Sequence, residues 1–343
     1  MNTVVISCAG SGKTTYLASQ VGTHNDARIL ITTYTNENAD TVRERLIEKF
    51  GCVPANVTVA TWYSVLLAHG VRPYQNLVTD VPMPRATMLI RDLPDWAYRV
   101  PKASVARYYF TGRGDIYLDR TSEFVCFADE RTGGLIVDRL QGIFTHIFVD
   151  ELQDLAGYDL ELLKRLFQSR ITIVAVGDPR QGTYSSNRGR KNSHLVRSKI
   201  VKWIDQMRRA GLVAVEEHTH SWRSNQAICD FADSLYPDLP KTQSKNEIVT
   251  DHDGIFEIAS TETLSYFEQY HPVVLRYNKS TTTLGLPAMN IGVVKGKTYD
   301  RVLLFPTSPM KKFVKTREVQ DGGDLARFYV AVTRARFSVA IVM

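Results

Sequence analysis

Cysteine is scarce in this chain. Four stand among 343 residues (Cys8, Cys52, Cys126 and Cys229), with no CxxC pair. That spacing argues against a disulfide framework and a cysteine-built zinc site, and it fits a reducing, cytoplasmic setting. Long apolar runs are also absent. None approaches the roughly 18 residues of a membrane span, so no membrane partner is expected. The N-terminus has no basic stretch leading into an apolar one, so no secretory signal is expected. No segment is low in complexity and no repeat is visible. Neither sign of charge dominates. The 42 Lys and Arg against 36 Asp and Glu leave +6, which permits a polyanionic partner without requiring one.

What is present is globular: 44% hydrophobic and 23% charged residues, in a length suited to roughly two or three domains. Apolar strands are read at Val4–Cys8, "RILITT", "VTVAT", "HIFVDE" and "ITIVAVGD". Helices are read between them, including 13–21 and 36–50. In the latter, Asn36 is the expected cap and Ala39, Val42, Leu46 and Phe50 share a face. Residues 70–139 have another texture, with Pro73, Pro82, Pro84, Pro94 and Pro101 plus "TGRGD" and "RTGG". They read as an insertion domain or an elaborate loop system. Alternation resumes after about residue 213, with strands expected at "LVAVE", "GIFEIA", "PVVLR", "MNIGVV", "RVLLF" and "SVAIV". The expected fold class is α/β, with parallel sheets covered on both faces. Residues 1–69 and 140–212 form a first domain, 70–139 its insertion, and 213–343 a second domain.

"SCAGSGKT" (Ser7–Thr14) follows an apolar strand and opens a helix, the setting of a phosphate-binding loop. Gly10 and Gly12 let backbone N–H groups approach phosphate oxygens, so Ala9, Gly10, Ser11, Gly12, Lys13, Thr14 and Thr15 are the expected nucleotide contacts. Lys13 supplies a cation, and the Thr14 hydroxyl suits Mg²⁺. Asp150 and Glu151 end a strand, where open α/β sheets bind ligands. Asp150 suits the metal and Glu151 the proton of an attacking water. A capping cluster for the next helix, with Asp154 as cap, is the other reading. Gln181 in "AVGDPRQGTY" can sense a γ-phosphate or simply belong to a polar turn.

The order of the segments adds to this. "SCAGSGKT", "TTYTNENADTVRERL", "TWYSVLLAH", "VDELQD", "VGDPRQGTY", "SWRSNQAI", "VVKGKTYDRVLL" and "RFYVAVTRAR" stand in the order of the motifs of UvrD/Rep-type superfamily 1 helicases. The chain resembles that family over nearly its whole length. The resemblance implies two RecA-like P-loop domains with ATP in the cleft between them. It implies Lys13, Glu151 and Gln181 as catalytic groups, Arg223 and Arg334 as arginine fingers, and Thr14 and Asp150 on Mg²⁺. Single-stranded nucleic acid, DNA ahead of RNA, is then expected on Tyr34, Thr61, Trp62 and Tyr184. Stacking on aromatic faces is sequence-tolerant, although core packing is the competing reading for each aromatic. The basic stretch after Tyr184 can touch a nucleic-acid backbone or form a solvated helix face.

The chain departs from the family at four places. A Gln-containing segment upstream of the loop is not expected, the second domain is expected to lack the family's large insertion, Ser186 replaces a second stacking aromatic, and Thr298 and Gly292 stand where Glu and His are common. Thr15 occupies a position where an Arg often stacks on the base. Trp222, beside Arg223, becomes the expected grip on the base, with weak discrimination between ATP and GTP. The expectation is a compact ATPase and helicase-type motor. The alternative is a nucleotide-dependent switch acting with a partner such as a nuclease, for example in phage defence. A small-molecule kinase shares the loop but leaves "SWRS" and "VTRAR" without a role.

Overall fold

β1 (Thr3–Ser7) contains four β-branched residues, which favour extended backbone because branching at Cβ restricts the side chain. It leads through the glycine-containing loop into α1 (Lys13–Val21), which buries Leu17, Ala18 and Val21. β2 (Ile29–Thr33) is buried at every position. α2 (Asn36–Phe50) and β3 (Val57–Thr61) follow. α2 buries Ala39, Val42 and Leu46 at the helical spacing read in the sequence. Phe50, the last residue of that helix, is 36% exposed. The cap is Thr35 rather than Asn36. The Thr35 hydroxyl accepts the Asn38 N–H at 3.1 Å from an extended backbone, a role open to either residue type. The computed structural model describes residues 1–24, 26–91, 93–183, 191–319 and 323–343, without the side chains of Ser193 and Asp324.

After β3 the chain becomes irregular. α3 (Trp62–Val65) runs on as a π-type turn through Leu66–Val71. Then come α4 (Gln75–Val78), β4 (Leu89–Ile90), α5 (Val105–Tyr109) and β5 (Ile116–Tyr117), with β4 and β5 paired in parallel. Side chains supply much of what ladders supply elsewhere. The Gln75 amide donates to Pro84 O at 2.6 Å and accepts the Ala86 N–H at 2.9 Å. Asp115 accepts the Thr87 and Met88 N–H groups, each at 3.0 Å. The buried Arg120 donates to Ala97 O at 2.8 Å and lies 3.8 Å from the Tyr108 ring centre.

Regular structure returns with α6 (Thr121–Arg131), α7 (Leu135–Ile143), β6 (His146–Val149), α8 (Tyr158–Phe167), β7 (Thr172–Gly177), α9 (Ile200–Arg209) and β8 (Ala214–His218). The first large sheet runs β3-β2-β6-β7-β1-β8, and its members β3, β2, β6 and β7 are parallel neighbours.

Beyond it lie β9 (His220–Ser221), α10 (Gln226–Ser234), β10 (Gln243–Ser244), β11 (Gly254–Ile258), α11 (Thr263–Tyr270), β12 (Val273–Arg276), β13 (Ala288–Asn290), β14 (Tyr299–Phe305), α12 (Ser308–Thr316), α13 (Gly323–Val332) and β15 (Ala335–Val342). The second large sheet runs β11-β15-β14-β12-β13 and is parallel throughout. Val302 and Leu304 of β14 enter one core cluster, while Leu303 and Phe305 enter another. Successive side chains of a strand point to opposite faces, so this sheet is covered on both. "MNIGVV" is strand only to Asn290, because Ile291–Val294 turn as a 3₁₀ helix with Ile291 and Val294 buried.

The fold class is α/β with parallel sheets, in keeping with RecA-like P-loop domains. The residues divide into two units. One comprises Met1–Val5, Thr14–Gly177 and Tyr184–Glu216; the other comprises Ile6–Lys13, Asp178–Thr183 and Glu217–Met343. The glycine-containing loop therefore groups with the second unit. Among the described residues, no helix is long and apolar enough to cross a membrane.

Candidate nucleotide site

Within the second unit, the loop after β1 is fixed by its backbone. The Cys8 N–H donates to His218 O at 3.1 Å, and the Trp222 N–H donates to Gly10 O at 2.9 Å. The Ala9 N–H donates to the Tyr329 hydroxyl at 3.2 Å. Gly10 and Gly12 have φ of 76° and 80°, a region where a side chain clashes with the backbone. At Gly10 a second constraint applies. A Cβ there would stand 2.5 Å from Ser221 Oγ and 2.7 Å from Arg223 Cβ. The loop thus lies directly against the segment that carries Trp222 and Arg223. Trp222 is 67% exposed. Arg223 donates from Nη1 to Thr333 O at 2.9 Å. Ser11, Lys13 and Thr14 are half-buried, while Gly12 and Thr15 are exposed.

Gln181 and Arg334 meet in the same unit. Gln181 donates through Nε2 to Asp178 at 2.8 Å and accepts through Oε1 from Arg334 Nη2 at 3.3 Å. Arg334 is 1% exposed and also donates to Val330 O and Lys297 O. The buried Arg180, next to Gln181 in the chain, lies 3.7 Å from Asp178 and 3.8 Å from Asp233. Burial, with the Asp178 carboxylate adding to the effect, holds the Tyr329 phenol well above its ordinary value. It therefore stays neutral where it meets the Ala9 N–H. Burial, again with Asp178, pushes the Cys8 thiol up to about 11, which suits packing rather than nucleophilic work.

The carboxylates lie in the first unit. The Thr14 hydroxyl donates to Asp150 Oδ2 at 3.3 Å, and the Glu151 N–H donates to Asp150 Oδ1 at 2.9 Å. A hydroxyl and a carboxylate are the oxygen donors Mg²⁺ takes, so this pair fits that ion. Glu151 adopts left-handed backbone, φ 57° and ψ 44°. This conformation is uncommon for a residue with a side chain, and it collects at functional sites. Its carboxylate accepts from Gln153 Nε2. Gly177 admits Gln153 there, because a Cβ on Gly177 would lie 2.7 Å from Gln153 Oε1. The capping reading of this cluster finds no support. The N-cap of α8 is Gly157, with no side-chain cap bond.

The residues named for nucleic acid fare unevenly. Tyr34 is half-buried and meets Tyr63 edge-on at 6.0 Å between ring centres. Thr61 caps α3, its hydroxyl accepting the Ser64 N–H at 3.3 Å. Trp62 departs from its expected role. It is 2% exposed, and its indole N–H donates to Asp159 Oδ1 at 2.7 Å, so the core-packing reading describes it and no ring face is offered to a base. Tyr184 lies outside the described residues, as do Ser186 and the first part of the basic stretch.

Two family descriptions match the chain. "AAA domain" covers residues 1–187, and "Viral superfamily 1 RNA helicase core domain" covers residues 135–343. The chain belongs to the superfamily 1 helicases. Solved structures similar to this helicase chain include the PRRSV helicase, at 18% identity and TM-score 0.47 over 99% of this chain and 52% of that one. Arterivirus nonstructural protein 10 (helicase) is another, at 17% identity and TM-score 0.48 over 100% of this chain and 59% of that one. Its complex with DNA matches at 15% identity and TM-score 0.47, over 100% and 61%. The chain thus spans 52% to 61% of the length of these helicases. No curated relative matches it in sequence.

For a superfamily 1 helicase, two site residues escaped the sequence reading. Tyr329 sits in the apolar run "FYVAV" and reads as core. It is core, but its hydroxyl reaches the loop. Gln153 lies inside "DELQD", and a neutral amide among carboxylates gives no signal of its own in the sequence.

Proposed function

We propose that the chain is an ATP-driven nucleic-acid motor, hydrolysing ATP at the loop Ala9–Thr15 and moving on single-stranded nucleic acid. The observation that carries this reading is the seating of Gly10 against Ser221 and Arg223. The closeness of the Arg223 backbone and Cβ to this loop supports reading Arg223 as an arginine finger for phosphates held there. In this reading Lys13 and the loop N–H groups bind the phosphates, and Gln181 reports the γ-phosphate. Arg223 and Arg334 supply guanidinium groups for charge that develops on the transferred oxygens. Glu151, oriented by Gln153, accepts a proton from water. Thr14 and Asp150 are the residues that would hold Mg²⁺, which would supply positive charge against the phosphates. The exposed Trp222, tethered to Gly10 through its backbone, is the contact for the base. Tyr34, Thr61 and Tyr184 remain the candidate nucleic-acid contacts, with DNA ahead of RNA.

The eight ordered segments support a UvrD/Rep-type placement within superfamily 1, while the matched family description supports the superfamily alone. The domain reading remains 1–69 with 140–212, the insertion 70–139, and 213–343. Two variants test the site. Lys13→Ala and Glu151→Gln are each expected to lower ATP turnover at least about a hundredfold with the melting curve unchanged. Normal turnover in either variant would sink the assignment. Wild-type turnover is expected to rise when single-stranded DNA is added. A chain that hydrolyses ATP only in complex with another protein would instead favour the switch reading.

A further inference from the structure

Trp62 has a more specific role than filling space, and its partner shows what that role is. Asp159 stands in the first turn of α8 and is 0% exposed. The Trp62 indole N–H donates to its Oδ1 at 2.7 Å, and the Ser122 hydroxyl donates to the same oxygen. Three separate segments therefore converge on one buried carboxylate. Trp62 directly follows Thr61, a candidate nucleic-acid contact. Ser122 lies in the first turn of α6, at the far end of the irregular region. α8 begins four residues beyond Asp154, the last residue of the turn that carries Glu151 and Gln153. The charge of Asp159 also reaches Tyr34, where burial comes first and Asp154 and Asp159 follow in raising the phenol above its ordinary value.

A buried carboxylate that loses a donor is costly. The Trp62 ring therefore cannot tilt without disturbing the first turn of α8. We propose that Asp159 is a positioning residue, bolted to Trp62, that couples nucleic-acid contact at Tyr34 and Thr61 to the carboxylate pair Asp150 and Glu151. This rests on the nucleic-acid-stimulated ATPase proposed above. Asp159 touches neither ligand. Its effect passes through the fixed spacing of β3, α3 and the start of α8, all within the first unit.

The test is ATP turnover measured against the concentration of a thymidine single-stranded DNA oligomer, for the wild type, Trp62→Phe, Ser122→Ala and Asp159→Asn. Trp62→Phe keeps an aromatic ring and deletes the N–H. Its turnover without DNA is expected to stay within about twofold of wild type, and DNA half-saturation likewise, while maximal stimulation falls about tenfold. Asp159→Asn keeps an acceptor oxygen and is expected to lose less. The double variant should be no worse than Trp62→Phe alone, as members of one path are not additive. Equal loss of basal and stimulated turnover in Trp62→Phe would make the bond merely structural and overturn the proposal, as would full stimulation. If Trp62→Phe fails to fold, Ser122→Ala decides instead. It removes a second donor to Asp159 and is expected to lower stimulation about threefold with basal turnover kept, and unchanged stimulation would overturn the proposal. A wild type that DNA does not stimulate would overturn the motor reading and this inference together, whereas a stimulated wild type with fully stimulated variants would overturn this inference alone.

Discussion

Trp62 and Trp222 follow short strands that end in hydroxyl residues, Thr61 and Ser221. Each begins as a candidate aromatic contact for a ligand, yet their surroundings are opposite. Trp62 is 2% exposed, and its indole N–H is held by Asp159. Trp222 is 67% exposed, and its backbone N–H is held by Gly10 O. At Trp62, α6 and α8 send Ser122 and Asp159 to one point beside the ring, so the indole needs and finds a buried acceptor. At Trp222, the neighbouring chain is engaged through its backbone, and the ring is left outward. A strand end therefore settles where the backbone goes. Whether the next ring faces a ligand depends on which helices arrive from elsewhere in the chain.

That contrast can be broken most directly by removing both rings in turn. Trp62→Ala is expected to cost about 3–5 kcal/mol of folding stability, through the cavity left and the hydrogen bond lost from the buried Asp159 carboxylate. Trp222→Ala is expected to stay within about 0.5 kcal/mol in a urea melt. Its nucleotide KM should nevertheless rise roughly fivefold, the scale of one lost stacking contact. Equal stability losses in the two variants would erase the distinction. An unchanged KM in Trp222→Ala, or strong rejection of GTP by the wild type, would remove Trp222 from the base contact.

A smaller change sharpens the side of the comparison that carries Trp222. Gly10→Ala adds a Cβ that would meet Ser221 Oγ and Arg223 Cβ in a left-handed backbone conformation. The conformational cost alone is about 1–2 kcal/mol. Turnover is expected to fall by more than that stability loss implies, because the displaced partner is Arg223 itself. A Gly10→Ala protein that melts about 1–2 kcal/mol lower but hydrolyses ATP like the wild type would show that Arg223 does not act at this loop.

The ease of reading the sequence follows the same division. β3 at Val57–Thr61 and α2 at 36–50 were legible because their apolar spacing is local and regular. The loop was legible because glycine, lysine and threonine stand in consecutive register. Trp62 was not legible, since its partner Asp159 is 97 residues away and belongs to a helix whose own spacing says nothing of Trp62. The region from Arg72 to Arg120 resisted for a related reason. Its form rests on single side-chain clamps such as Gln75, Asp115 and Arg120, and no periodicity encodes these. The left-handed Glu151 was also hidden, because the residue type gives no warning of that backbone.

The smallest expected effect concerns pH, and it belongs to the neighbourhood of Trp62. His69 lies in the Leu66–Val71 turn that continues α3, with its ring edge-on to Phe144 at 5.9 Å. Burial, assisted by the Arg139 cation, holds its pKa below the ordinary value of 6.5. In the unfolded chain the imidazole titrates near 6.5. Below that pH, and down to the lower folded value, the unfolded state binds the proton more readily. Stability must then fall as pH falls through this window, and His69 contributes no pH dependence above it. Melting temperature followed from about pH 8 to about pH 5 should decline on the acid side, and the decline should be shallower in His69→Gln. His146 is held down by burial and His24, and His252 by burial and Arg301, so the slope is expected to shrink rather than vanish. Trp222→Ala should retain the wild-type slope. If His69→Gln retains it as well, acid sensitivity does not arise in the helix that begins at Trp62.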